Sequence, residues 1–325
     1  MSGIAMKSQT ALPLTSESLS FQRDNPIYVF GHRNPDSDAV CSAMVVADWL
    51  NYTGRPATPW CLGDITPETR YILNAAGVSQ PDLLTADLTD KTVWLVDFTD
   101  AEQGPSSLMN SNVIGIIDHH RIGTLVTRNP PDVWVRAVGC CGTVILSILM
   151  HDIPMPVTAS QAVLLMGAIL SDTVALTGPT TTTQDQEAVA VLREIAGIDY
   201  DQFVAGLLQA KTDITGQSAS VLLNRDAKNY RIHDVPLLLS QIEVRDMTDI
   251  THLLPELLQE MDKTCKDSAL DMVILIVTDI TSRNSVLLFS DSSLTGSRQV
   301  PLPGMTSRKK EILPWLTDRF ASYKR

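Results

Sequence analysis

Ile27-Tyr28-Val29-Phe30-Gly31-His32-Arg33-Asn34-Pro35-Asp36-Ser37-Asp38 opens with a short apolar run and closes with an imidazole and two carboxylates. The same grammar recurs. Val93-Trp94-Leu95-Val96 leads into Asp97, Val113-Ile114-Gly115-Ile116-Ile117 into Asp118-His119-His120, and Met166-Gly167-Ala168-Ile169-Leu170-Ser171 into Asp172. Short apolar runs of this kind read as buried strands or helix segments of an α/β core. Ligands of open α/β sheets sit at the carboxyl ends of the strands, so charged residues placed there repeatedly point to one shared site. A lone strand-end Asp is ordinarily a helix cap or turn residue, and His32 alone reads as a satisfied core or surface histidine. The ordered recurrence is what is hard to obtain by chance.

From about Asn25 to about Ala210, strand-like and helix-like segments alternate. Residues 41–50, 142–150, 159–170 and 184–195 read as helices, the last with Asp185 and Glu187 near its positive end. This alternation predicts a mostly parallel sheet flanked by helices. Around Lys211-Thr212-Asp213-Ile214-Thr215-Gly216-Gln217-Ser218 the chain turns polar and loses periodicity, as a linker does. Beyond it, strands at 235–242, 272–278 and 286–289 and helices at 256–261 and 311–320 predict a smaller α/β domain. The expected division is a Ser/Thr/Gln-rich flexible tail at 1–22, a first domain at 23–208, a hinge at 209–218 and a second domain at 219–325.

A length of 325 residues accommodates two domains, and 44% hydrophobic content is ordinary for a globular chain. A net charge of −12 argues against general nucleic-acid binding and against an anionic membrane surface. An anionic substrate binds such a chain only where basic residues or metals reverse the local field. The five cysteines are odd in number and lack zinc spacing, so reduced thiols in a cytoplasmic protein are the simplest reading. No apolar run approaches a membrane span, and the N-terminus has no signal-peptide core.

His32-x-x-x-Asp36-x-Asp38 offers oxygen and imidazole donors, the set a hard divalent cation such as Mn²⁺ prefers, without a cysteine. Pro35 stiffens this loop, and the small residues Ser37, Ala39, Ser42 and Ala43 let a helix begin close to the metals. Adjacent His119 and His120 point to different sides of a turn, so one can ligate while the other faces substrate, with Asp118 orienting an imidazole. Asp97 and Asp172 add carboxylates, and a two-metal site needs one that bridges. In the second half, Thr306-Ser307-Arg308-Lys309-Lys310 is the densest basic cluster. It reads either as an anion site or as a solvated charge run.

Gly31-His32-x-Asn34-Pro35-Asp36-Ser37-Asp38, Val96-Asp97, Asp118-His119-His120 and Ser171-Asp172-Thr173 resemble the ordered motifs of the DHH phosphoesterase superfamily. Within it the chain is similar to the family II, manganese-dependent, inorganic pyrophosphatases, from residue 27 to about 320. Softer matches lie at 63–69, 138–143 and 178–183. The resemblance implies an α/β fold: an N-terminal DHH domain, a smaller DHHA2-type domain, and an active site in the cleft between them. It implies hydrolysis of pyrophosphate to two orthophosphates by a metal-bridged water. His32, Asp36 and Asp97 would hold one Mn²⁺ (or Co²⁺), and Asp38, Asp97, His119 and Asp172 the other, with Mg²⁺ arriving on the substrate. His120, supported by Asp118, would face the phosphate as the catalytic pair. Ser307, Arg308 and Lys309 match the family's Ser-Arg-Lys signature, and Lys228 its other phosphate-binding lysine. Lys310 is left as a surface charge. A homodimer through the first domain is implied as well.

One departure stands out. The family follows its bridging aspartate with His-Asn-Glu, whereas here Phe98-Thr99-Asp100 follows Asp97. Changes behind a metal ligand alter affinity and rate, while Phe98 itself reads as core packing. Two other readings stand beside this one. A DHH phosphoesterase acting on short polyphosphate, a dinucleotide or an oligonucleotide would carry a glycine-rich C-terminal motif, and this chain has none. Its 5% aromatic content also gives little stacking surface. A non-catalytic metal- or anion-binding module is disfavoured by intact residues at every matched ligand position. The spacing from Asp38 to Asp97 leaves no room for inserted regulatory domains.

Overall fold

The computed structural model describes residues 26–321; the expected tail at 1–22 lies outside the described residues. Strands β1 (Ile27–Phe30), β2 (Ala57–Cys61), β3 (Asp82–Leu83), β4 (Thr92–Val96), β5 (Asn112–Asp118) and β6 (Asp132–Val135) form one sheet in the order β3-β2-β1-β4-β5-β6. Every pairing in it is parallel. The strand order reverses between β1 and β4, and the crevice at such a switch point is where doubly wound sheets bind ligands. His32 and Asp97 follow those two strands.

Helices α1 (Ser37–Tyr52), α2 (Pro67–Ala76), α3 (Cys141–Ser147), α4 (Ala159–Asp172), α5 (Thr183–Ala196) and α6 (Tyr200–Thr212) belong to the first domain. Their ends are written locally. Asp36 caps α1 by accepting from the Ala39 N–H. Thr66 caps α2, Pro67 occupies its first turn, and Gly77 closes it at φ 68°. Capping boxes start α4 (Thr158, Gln161) and α5 (Thr182, Asp185). Helix α4 is buried along almost its whole length, which explains a sequence too apolar to show a stripe. A Cβ at Gly31 would lie 2.5 Å from the Ala39 Cβ, so glycine lets α1 start hard against β1.

The expected hinge begins earlier than the structure's connection. Helix α6 runs through Thr212, whose hydroxyl donates to the Leu208 carbonyl at 2.9 Å, so residues 209–212 are its last turn. The irregular link is 213–217, with Gly216 at φ 69°. After α7 (Ala219–Asn224), strands β7 (Ala227–Ile232), β8 (Val235–Val244), β9 (Met272–Asp279), β10 (Asn284–Phe289) and β11 (Gln299–Leu302) form a mixed sheet in the order β11-β10-β9-β8-β7. Only the β8–β9 pair is parallel. Strand β9 is buried on both faces. Val273, Leu275 and Val277 meet one apolar layer that includes Leu257 and Met261 of α8 (Leu254–Asp267). Met272, Ile274 and Ile276 meet another that includes Leu316 and Phe320 of α9 (Leu313–Phe320). Among the described residues no helix is long and apolar enough to cross a membrane.

Candidate active site between the two domains

The first-domain residues named from the sequence converge. His32 Nε2 lies 3.3 Å from Asp36 Oδ2 and 3.2 Å from Asp97 Oδ2. His119 Nε2 lies 3.2 Å from Asp97 Oδ1, 3.5 Å from Asp172 Oδ2 and 3.7 Å from Asp38 Oδ2. Asp97 is thus common to two donor sets. It sits at φ 66°, an uncommon backbone conformation for a side chain of this kind and one that recurs at functional sites. The residue before Pro35 departs from the extended form expected there. Asn34 takes φ 53°, and its amide donates to the Ala227 carbonyl of the second domain at 2.9 Å.

Both imidazoles have a fixed orientation. His32 Nδ1 lies 2.8 Å from the Arg33 carbonyl and His119 Nδ1 3.1 Å from the Val138 carbonyl. A carbonyl only accepts, so Nδ1 carries the proton and Nε2 turns to the carboxylates. Asp118 is buried behind this pair. Its Oδ1 accepts from the His119 and His120 N–H groups at 2.7 and 3.0 Å and holds His120 Nδ1 at 2.8 Å. Asp118 therefore orients His120 from behind.

Buried oxygens and nitrogens that all accept repel one another unless protons or cations lie among them. Asp97 Oδ2 is buried without a hydrogen-bond partner. Burial, then the Asp97 and Asp36 charges, push Asp38 up to about 7. Burial, followed by Asp38 and Asp36, raises Asp172 well above the carboxylate range. Burial and Lys228 pull His32 down, yet the flanking carboxylates outweigh them and raise it to about 9. Burial opposes ionisation of Asp97 too, but His120, His119 and His32 hold it well below the usual range. The donor groups His32–Asp36–Asp97 and Asp38–Asp97–His119 each have ligand atoms within 4.8 Å of one another. Oxygen and imidazole donors in this number fit two divalent cations of the Mn²⁺ type. Cys141 stands beside the second donor group and Cys140 beside Asp38 and Asp172, and burial pushes both thiols up.

The second domain brings its cations to the opposite wall. Lys228 Nζ lies 3.1 Å from His32 Nε2, and Lys309 Nζ 2.9 Å from His119 Nε2. Arg308 is buried and anchored on Asp226, donating to its carbonyl at 2.9 Å and its carboxylate at 3.0 Å, while its Nε has no partner. Ser307 lines the cleft, and its hydroxyl accepts from the Lys310 N–H, capping the π-helical turn Arg308–Ile312. Lys310 is exposed, as expected, and also donates to the Pro179 carbonyl at 3.2 Å. The cleft encloses about 360 Å³.

Several residues visible in the sequence have supporting roles that only the structure reveals. The Cys141 N–H and the Ser42 hydroxyl donate to Asp38 at 2.7 and 2.6 Å. Asp185 accepts from the Gly139 N–H, the Thr143 hydroxyl and the Thr182 N–H and hydroxyl, tying together the segments at 138–143 and 178–183. Those segments were visible as soft motifs, but nothing in the sequence marked Asp185 as their junction. Thr99 accepts from the Gly123 N–H at 2.8 Å and donates to the Arg121 carbonyl at 3.3 Å, so the changed segment after Asp97 pins the loop that follows His120. Phe98 is buried against Phe30, the packing role expected of it.

Known proteins are similar to this chain along most of its length. The DHH family N-terminal domain matches residues 26–169, and the DHHA2 domain matches residues 205–319. A manganese-dependent inorganic pyrophosphatase of Methanothrix thermoacetophila is 35% identical, covering 90% of this chain and 98% of its own. A "Probable manganese-dependent inorganic pyrophosphatase" of Staphylococcus haemolyticus is 33% identical, covering 90% and 97%. The crystal structure of a Methanococcus jannaschii protein assigned to family II inorganic pyrophosphatase superposes with a TM-score of 0.84 at 30% identity, covering 91% of this chain and 100% of that one. With its two domains, its ordered His and Asp motifs and these relatives, the chain belongs to the manganese-dependent, family II inorganic pyrophosphatases of the DHH group.

Proposed function

We propose that the chain hydrolyses inorganic pyrophosphate to two orthophosphates in the cleft between its domains. One observation carries the reading: two donor sets sharing Asp97 face Lys228, Arg308 and Lys309 across a closed cleft. His32, Asp36 and Asp97 would hold one Mn²⁺ or Co²⁺, and Asp38, Asp97, His119 and Asp172 the other. Bound there, the metals would polarise the phosphate and acidify a water between them, with Mg²⁺ accompanying the substrate. Lys228, Arg308, Lys309 and the Ser307 segment bind the leaving phosphate, the two lysines turning from the imidazoles to the substrate oxygens. His120 has Nδ1 engaged by Asp118, which leaves Nε2 to meet the bridging or leaving oxygen. Closure expels water and strengthens each of these charge contacts. Asp118 acts through His120, as a positioning residue.

The expected homodimer would form through the first domain, where β6 ends the sheet and Val133 is 49% exposed. A reducing, cytoplasmic compartment suits five unpaired cysteines. The test is orthophosphate release after EDTA stripping and reloading with Mn²⁺, Mg²⁺ present, with tripolyphosphate and a dinucleotide in parallel. Mn²⁺-dependent turnover of pyrophosphate alone is expected. Turnover confined to a larger substrate, or none on any, contradicts the proposal.

A further inference from the structure

A second charged contact joins the domains on the wall of the same cleft, beside Asp172. Lys211, in the last turn of α6, sets its ammonium 2.5 Å from Glu243 of β8 and 3.4 Å from Glu68 of α2. Ser171 donates to the same Glu68 oxygen at 2.9 Å. Glu68 belongs to the first domain and Glu243 to the sheet of the second. The Lys211, Glu68 and Glu243 side chains are 12%, 9% and 18% exposed, so water screens them little. Arg225, just after α7, adds bonds to the Lys211 and Asp213 carbonyls at 3.2 and 2.6 Å. Burial works against the Lys211 charge, yet Glu243 and Glu68 outweigh it and lift its pKa above the usual lysine range.

The arrangement opposes a repulsion built into the cleft. Lys228 and Lys309 reach from the second domain to His32 and His119. Once divalent cations occupy those imidazoles, the lysines face like charge until an anionic substrate arrives. The Asn34–Ala227 and Lys310–Pro179 bonds end on neutral carbonyls and offset little of it. Lys211 between carboxylates of opposite domains supplies attraction of the right sign.

We propose that Lys211, bridging Glu68 and Glu243, is an interdomain latch that keeps the metal-loaded protein closed before substrate binds. Because Ser171 precedes Asp172 and shares Glu68 with the latch, closure and the end of α4 are coupled. Removing the ammonium leaves two buried carboxylates facing each other across the boundary.

The latch rests on the proposed function for its kinetic readout alone; the shape readout is independent of it. Mn²⁺-loaded wild type, Lys211→Met, Lys211→Arg and Lys211→Met/Glu243→Gln are compared by small-angle X-ray scattering, with and without imidodiphosphate and Mg²⁺. Lys211→Met is expected to expand without ligand and contract with it. KM for pyrophosphate is expected to rise about tenfold with kcat within about threefold, because a mostly open protein closes before it binds. Lys211→Arg keeps the wild-type values, and adding Glu243→Gln to Lys211→Met recovers part of the loss. A folded Lys211→Met with unchanged radius of gyration overturns the latch, as does a loss the Glu243→Gln change leaves untouched. Should Lys211→Met fail to fold, Glu243→Ala alone severs the interdomain bond and leaves the Lys211–Glu68 pair. The same expansion is then expected, and an unchanged radius overturns the proposal.

Discussion

Replacing Thr99 by Val removes one hydroxyl and keeps the side-chain shape. That hydroxyl is buried and joins two segments, accepting from the Gly123 N–H at 2.8 Å and donating to the Arg121 carbonyl at 3.3 Å. Valine leaves the Gly123 N–H without its partner, at a cost of about 1–3 kcal/mol. The longer bond to Arg121 adds about 0.5–1 kcal/mol. Gly123 has no room to readjust, since a Cβ there would stand 2.8 Å from the Asp100 backbone nitrogen. The total, about 1.5–4 kcal/mol, appears either as lost stability or as displacement of the loop beginning at His120. Urea unfolding and steady-state pyrophosphate hydrolysis separate the two. We expect a lower urea midpoint and a kcat reduced about 10–100-fold. Thr99→Ser, which keeps the hydroxyl, should stay near wild type. A Thr99→Val protein with wild-type midpoint and kcat would refute the claim that the segment after Asp97 holds His120.

Other consequences follow from the same geometry. Gly31→Ala sets a methyl 2.7 Å from the Ala39 Cα and shifts the helix start that carries Asp36 and Asp38, so Mn²⁺ affinity should fall about 10–100-fold by titration calorimetry. In the metal-free protein His32 and Asp38 titrate near 9 and 7. Below those values protons compete with metal, so Mn²⁺ affinity should climb from pH 6 to 9 and binding at pH 7 should release protons; calorimetry in buffers of different ionisation enthalpy reads their number, and a pH-independent affinity contradicts the assignment. Lys309→Met removes a cation aimed at the substrate while Arg308 and Lys228 remain, and the expected loss in kcat/KM is about 10–100-fold at unchanged Mn²⁺ content.

What the sequence disclosed and what it hid have separate physical causes. Apolar runs ending in Asp or His exposed β1, β4, β5 and the end of α4, because a buried strand and a polar strand end leave opposite marks on composition. Strands β2, β6 and β7 are half-exposed or edge elements with mixed residues, and their pattern is too weak to read. The β7–β8 hairpin turns on His233-Asp234 at φ 46° and 64°, positions that glycine or asparagine usually announces. Helix α6 hid its last turn because Lys211 and Thr212 look like linker residues, whereas Lys211 pairs with Glu243 and Glu68 and the Thr212 hydroxyl bonds back to Leu208. The candidate metal ligands were legible one by one. The bond from the Cys141 N–H that aims Asp38, and the bonds of Asp185 to Gly139 and Thr143 and of Thr99 to Gly123 that brace the surrounding loops, join residues distant in sequence, which spacing does not encode.

Asp97 is proposed to join two metal ions opposite the cationic wall. Electron paramagnetic resonance of the Mn²⁺-reconstituted protein tests this bridge. Wild type is expected to show the signature of an exchange-coupled Mn²⁺ pair, replaced in Asp97→Asn by isolated or missing Mn²⁺ together with loss of pyrophosphate turnover. Isolated Mn²⁺ alone in the fully loaded, active wild type, or a coupled pair that survives in Asp97→Asn, would contradict it.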